Sequence, residues 1–99
     1  MADVRLSALA KADLAAIDSF SSERFGEITA NAYLRGFNDV FDLLRAHPLA
    51  GMARPELGTD IRTFTHRGHR ICYQYAANTV LIVRILHHAQ YARLQLGRT

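Results

Sequence analysis

The sequence predicts an α+β fold in the order β-α-α-β-β-β, with a helix hairpin packed on a small antiparallel sheet. Three observations predict it. Two segments between residues 8 and 47 carry apolar residues at helical spacing and are divided by Gly26. Residues 61–87 instead alternate, are rich in β-branched side chains, and are cut by two short turn signals. Ninety-nine residues with 49% hydrophobic content suit one core, so residues 1–99 are expected to form a single domain.

Asp3-Val4-Arg5-Leu6 alternates polar and apolar side chains and reads as a short strand. Ser7 follows as a helix cap, its oxygen placed to accept from backbone N–H groups of a first turn. The first helix begins near Ala8, with Leu14, Ile17 and Phe20 as its inward stripe and Lys11 and Asp18 outside. Gly26 stops or turns it. In the second helix Ala30, Tyr33, Leu34, Phe37, Val40, Phe41 and Leu44 keep one face, until Pro48 restricts His47. Two helices joined so briefly lie antiparallel. His47 to Asp60 contains Pro48, Gly51, Pro55 and Gly58 and reads as an irregular connection. Ile61 to His66 is a strand, Arg67-Gly68 a turn, and His69 to Ala76 a strand with Ile71, Tyr73 and Tyr75 on one face. After a turn at Ala77-Asn78, Thr79 to His87 is apolar on both faces, as expected of a strand covered on both sides. Three antiparallel strands thus form a meander, and residues 90–96 form a short final helix or an ordered tail.

The charge is divided along the chain. Residues 1–60 hold nine acids and six bases, whereas residues 61–99 hold six arginines, four histidines and no carboxylate. That half makes a positive field suited to nucleic acid or to an acidic protein surface. Eleven of the twelve bases are arginine, whose planar fork suits bidentate contacts. The lone Cys72 has no partner for an internal disulfide and fits a reducing cytoplasm as a small buried apolar residue. The N-terminus lacks a basic region followed by an apolar one, and the run Val80 to Val83 is broken by Arg84. Neither export nor a membrane span is expected, and the expected location is the cytoplasm.

Several stretches in this order resemble the RelE/ParE superfamily of bacterial toxins, and its ParE-like branch in particular. They are Leu6-Ser7 with Ala10, Asp13-Leu14 and Ile17; Phe25-Gly26 with Ala30 and Tyr33; and Pro48, Gly51 and Pro55-Glu56-Leu57. Ile61-Arg62 with Phe64, His69-Arg70-Ile71 with Tyr73, and Val83-Arg84-Ile85-Leu86-His87 complete the set. Each piece is an ordinary core pattern; their order and spacing over nearly the whole chain carry the likeness. The resemblance implies a toxin held inactive by a cognate antitoxin whose C-terminal segment wraps it, and which touches operator DNA only through that antitoxin. ParE-like members are associated with blocking DNA gyrase, whereas RelE-like members cut messenger RNA on the ribosome. The fold is shared, so it cannot choose between them.

The chemistry of the basic half bears on that choice. Cleavage through a 2′-hydroxyl needs a proton acceptor, a donor, and positive charge near the phosphorane. Arginine supplies only charge. For a ribonuclease the candidate residues are Arg62, Arg70, Arg84, His87 and His88, the last two at the end of the final strand, where such enzymes carry a His or Tyr. Here Ala89 follows and Tyr91 is the next aromatic, an ending closer to the ParE-like pattern, so gyrase inhibition without catalytic residues is the favoured expectation. The expected target-binding set is Arg62, Arg70, Arg84, His87, His88, Tyr91 and Arg93, with Arg62 and Arg70 pointing away from the helices. His87 has an equal reading as a cap at the strand end, and Arg84 as half of an ion pair with an acid from the first sixty residues. His66 and His69 flank a turn with no nearby carboxylate or second cysteine, so no metal is expected, and no cofactor. Direct DNA binding is a third reading, and no recognition-helix pattern accompanies the charge.

Overall fold

The computed structural model describes the backbone of residues 1–96 and the side chains of residues 1–92. Strand β1 (Asp3–Leu6) leads into helices α1 (Ala8–Phe25) and α2 (Glu27–Ala46), which Gly26 separates. Gly26 has φ +85°, a conformation that costs a residue without Cβ little, so one residue both ends α1 and starts α2. Strands β3 (Ile61–His66), β4 (His69–Ala76) and β5 (Thr79–His87) form the meander with the bounds read from the sequence. Both Ala77 and Asn78 have positive φ, which gives a two-residue hairpin turn its matching twist.

The sheet is larger and less uniform than predicted. Its order is β1-β5-β4-β3-β2, where β2 (Met52–Ala53) is a two-residue edge strand within the segment expected to be irregular. A single 3-10 turn at Pro55–Leu57 follows it. Strand β1 joins β5 in parallel, Val4 opposite Val80 and Leu6 opposite Ile82, so the sheet is mixed rather than purely antiparallel. The remaining element is α3 (His88–Leu96), which continues directly from β5 and begins two residues before the predicted tail helix.

The core lies between the sheet and α2. Phe37, Leu44, Ile71, Tyr73, Val80 and Ile82 are wholly or almost wholly buried, and each large apolar side chain removed from water stabilises by about 1.5–3 kcal/mol. The α2 stripe is the one its periodicity predicts. On α1 it holds in part: Leu14 and Ile17 are partly buried against the core as expected, whereas Phe20 is 58% exposed rather than inward. Helix α1 packs on α2 and β5. The junction is held at its start. Ser7 caps α1 by accepting from Ala10 N–H, and its hydroxyl donates to Val83 O at 2.7 Å.

Opposite the helix hairpin a smaller apolar cluster joins Cys72, Leu86 and Tyr91, with Leu57 against it. Helix α3 lies on this side, against β5 and β4. This explains why β5 is apolar on both faces: the hairpin covers one and α3 part of the other. No helix among the described residues is long and apolar enough to cross a membrane.

Candidate functional site

The antiparallel register sorts the predicted residues between two faces. Arg70 stands opposite Leu86 on one side and Thr65 on the other, on the face away from the helices, as expected. Its guanidinium lies 5.0 Å from the centre of the Tyr91 ring, so α3 supplies a buried aromatic that holds it. Arg84 reaches the same face by a β-bulge. Cys72 pairs with Arg84 and Tyr73 with Ile82, which leaves Val83 as an extra residue. Without it, strict alternation would put Arg84 on the side of Ile82, inside the core.

From that position the Arg84 side chain turns to α1. Its Nε donates to Asp13 Oδ2 at 2.9 Å and its Nη2 to Asp13 Oδ1 at 3.1 Å, while Ile85 N–H donates to the same Oδ2. Of the two readings of Arg84, the ion pair is the arrangement found. The hydrogen bond to Asp13 raises the Arg84 pKa still further, so the charge is permanent but locally balanced. Arg54, which sequence reasoning passed over, also reaches this face, donating to Thr63 Oγ1 at 3.2 Å. Burial pushes the Cys72 thiol up to about 11 despite the nearby Arg84, Arg70 and Arg54. It remains a neutral thiol at neutral pH and a poor nucleophile.

Arg62 corrects the expectation that it faces outward. It pairs with Tyr73 and therefore shares the helix face, with Phe64 and His66. Its Nη1 donates to Gly51 O at 2.8 Å, and the Tyr73 hydroxyl donates to Pro48 O at 2.7 Å while accepting from Gly51 N–H at 2.8 Å. Together these side chains staple residues 48–51 to the sheet. We expect Tyr73→Phe to cost about 1–3 kcal/mol, because it leaves a buried N–H and a carbonyl unpaired. Urea unfolding measures this, and a loss below a few tenths of a kcal/mol would mean that water replaces the hydroxyl.

The histidines assemble on the helix face. His66 pairs with His69 across the Arg67-Gly68 turn, and His69 with His87, so three rings line up at one end of the sheet beside α2. Tyr33 Oη lies 2.9 Å from His69 Nδ1, and the His69 and His87 ring centres are 5.6 Å apart. His66 packs edge-on to Phe37, and its Nε2 is buried without a hydrogen bond. Burial lowers the pKa of His66, with a further contribution from Arg67, and that of His69, with further contributions from His87 and His66. No cluster of three or more metal-ligating side chains occurs among the described residues.

His87 also caps α3: its Nδ1 accepts from Ala89 N–H at 3.3 Å, and its own N–H donates to Gln90 Oε1 at 2.9 Å. His88 is exposed at the start of that helix. Arg93 lies on α3 with its side chain outside the described residues. The predicted set is therefore divided. Arg70, Arg84 and Tyr91 stand on one side of the sheet, and Arg62 and His87 on the other.

A feature absent from the predicted site is an open groove of about 780 Å³ between α1, the start of α2 and the ends of β4 and β5. Ile17, Phe20, Phe25 and Tyr33 make its apolar walls, and His69, His87 and Gln90 its polar end. Phe20 and Phe25 are 58% and 62% exposed, and the Arg24 guanidinium stands 5.3 Å from the centre of the Phe20 ring.

A hairpin over a mixed sheet, with such a groove beside a basic strand, can be set against known proteins. Residues 4–91 match the family model described as the ParE toxin of the type II toxin–antitoxin system parDE. The chain belongs to the ParE toxin family. Toxin ParE1 of Caulobacter vibrioides is 33% identical over 97 residues, covering 98% of this chain and all of that protein. Toxin ParE3 of the same organism is 33% identical over 76 residues, covering 77% of this chain and 76% of that one. A solved structure described as a chromosomal ParDE system from P. aeruginosa superposes with a TM-score of 0.75 at 21% identity. It covers 88% of this chain and 96% of that chain, and bears on the fold alone. The chain is thus the toxin component of a type II system, on the ParE side of the superfamily.

Proposed function

We propose that this ParE family member arrests growth by inhibiting DNA gyrase, acting in the cytoplasm. The observation that supports inhibition over RNA cleavage is the separation of the outer-face arginines from the histidine row, beside which Arg62 is bonded to Gly51 O and Arg67 stands over Tyr33. Arg70 and Arg84 lie on the face opposite His66, His69 and His87, and Arg84 is already paired with Asp13. A nuclease would need an acid or base within hydrogen-bond reach of the groups that stabilise the phosphorane. A basic face that only binds has no such need. Arg70 over Tyr91, with Arg93 further along α3, is the proposed contact with the target.

The apolar groove supports a cognate antitoxin as the second partner, its C-terminal segment covering Phe20 and Phe25, with operator DNA reached only through that antitoxin. The test is to add the purified toxin to a gyrase supercoiling reaction and, separately, to translating ribosomes with a defined message. Inhibited supercoiling with an intact message is expected. The double variant Arg70→Glu/Arg93→Glu should need at least about tenfold more protein for the same inhibition, with an unchanged melting curve. Message cut within codons, with supercoiling untouched, would overturn the proposal.

A further inference from the structure

The polar end of the groove defines what its occupant must carry. This inference rests on the reading of the groove as the antitoxin's seat. His69 and His87 are both anchored through Nδ1, one to the Tyr33 hydroxyl at 2.9 Å and the other to Ala89 N–H at 3.3 Å. Neither Nε2 makes a hydrogen bond among the described residues, and both residues line the groove. His87 Nδ1 accepts from a backbone N–H, so its neutral ring carries its proton on Nε2, and in the His69 tautomer whose Nδ1 accepts from Tyr33 the two rings offer a pair of N–H donors.

The charges around this pair favour an anion. The carboxylate that lines the same groove, Asp13 on α1, is occupied by Arg84 and Ile85 N–H. Arg67, in the turn between β3 and β4, stands with its guanidinium 6.0 Å from the Tyr33 ring on α2. His66 on β3 and His88 on α3 add no negative charge, and Asp39 on α2 acts on His66 rather than on His69. The other end of the groove is apolar, and the span from Asp13 to Phe20 along α1 is about two helical turns.

The geometry points to an antitoxin segment that lays apolar side chains over Ile17, Phe20 and Phe25 and places one Asp or Glu carboxylate between His69 and His87. That carboxylate accepts from both Nε2–H groups. A proton is then taken up by His69, which can protonate without losing its anchor, since Nδ1–H donates to the Tyr33 oxygen that formerly donated to it. Burial and the neighbouring rings hold His69 below its ordinary pKa in the free toxin, so complex formation must raise it. Affinity therefore grows as pH falls through the histidine range and is weakest above it.

The test uses the purified toxin and its cognate antitoxin. Their dissociation constant is measured by calorimetry between about pH 8 and about pH 5.5, and the His69 ring is titrated by NMR in the free toxin and in the complex. We expect affinity to tighten at least about tenfold on going to the lower pH, and the His69 pKa to rise on binding. His69→Gln, which keeps a neutral donor, should flatten the profile. Binding of equal strength across the range, with an unmoved His69 titration, would overturn this inference while leaving the antitoxin reading intact. Should the two proteins fail to associate at any pH, the antitoxin reading itself falls and this inference with it. The NMR titration needs only the wild-type protein, so the inference stays testable if His69→Gln does not fold.

Discussion

Gly51→Ala is expected to lower the stability of this toxin by about 3 kcal/mol or more. A Cβ at this position would lie 2.6 Å from Tyr73 Oη, 2.7 Å from Tyr73 Cε1 and 2.8 Å from Thr63 O. None of these can give way cheaply. Thr63 O belongs to the backbone of β3, which is paired on both sides, to β2 and β4. Tyr73 is fully buried, and moving its ring breaks the hydroxyl bonds to Pro48 O and Gly51 N–H. The loop would lift off the sheet, and Arg62 would lose its hydrogen bond to Gly51 O. Denaturant unfolding of the variant should show a midpoint shift with unchanged slope. A loss under about 1 kcal/mol would mean that residues 48–51 are not held by Tyr73 as described.

Asp13→Ala carries the second large effect, about 2–3 kcal/mol. The carboxylate is 16% exposed and receives three hydrogen bonds, two from Arg84 and one from Ile85 N–H. Arg84 is itself 36% exposed, so solvent screens part of the ion pair, and the estimate lies below that for a deeply buried one. The Ile85 N–H matters as much. Strand β1 ends at Leu6, opposite Ile82, so the β5 edge beyond it has no strand partner, and Asp13 takes that place. Hence Asp13→Ala should cost about 1 kcal/mol more than Arg84→Ala, which leaves the N–H bonded. A double-mutant cycle measures both quantities. Equal losses from the two single variants would show that the backbone bond contributes nothing.

Much of this architecture was legible in the residues. The α2 stripe from Ala30 to Leu44, the three meander strands and both of their turns stand where periodicity and turn chemistry place them. Ser7 caps as its residue type suggests. Phe20 misled for a physical reason: helical spacing shows which residues share a face, but not whether another element covers each of them, and Phe20 is 58% exposed. Strand β2 escaped because two residues carry no period, and its pairing depends wholly on β3. The histidine row and the groove escaped because they arise from register. A two-residue turn sets His66 opposite His69, and the β4–β5 pairing then adds His87 from another part of the chain.

Taken alone, the order of residues determined the fold class, the concentration of guanidinium groups in the last forty residues and the likeness to ParE toxins. Those properties are local or cumulative, and a linear chain displays them directly. Only the tertiary structure decided which arginines share a face and which are spent internally. One extra residue at Val83 turns Arg84 away from the core and His87 toward the groove, and Asp13, 71 positions earlier in α1, supplies the partner carboxylate. A bulge shifts register without changing composition, and an ion pair between distant residues exists only once the hairpin lies on the sheet. The same sequence is compatible with either outcome until those two surfaces meet.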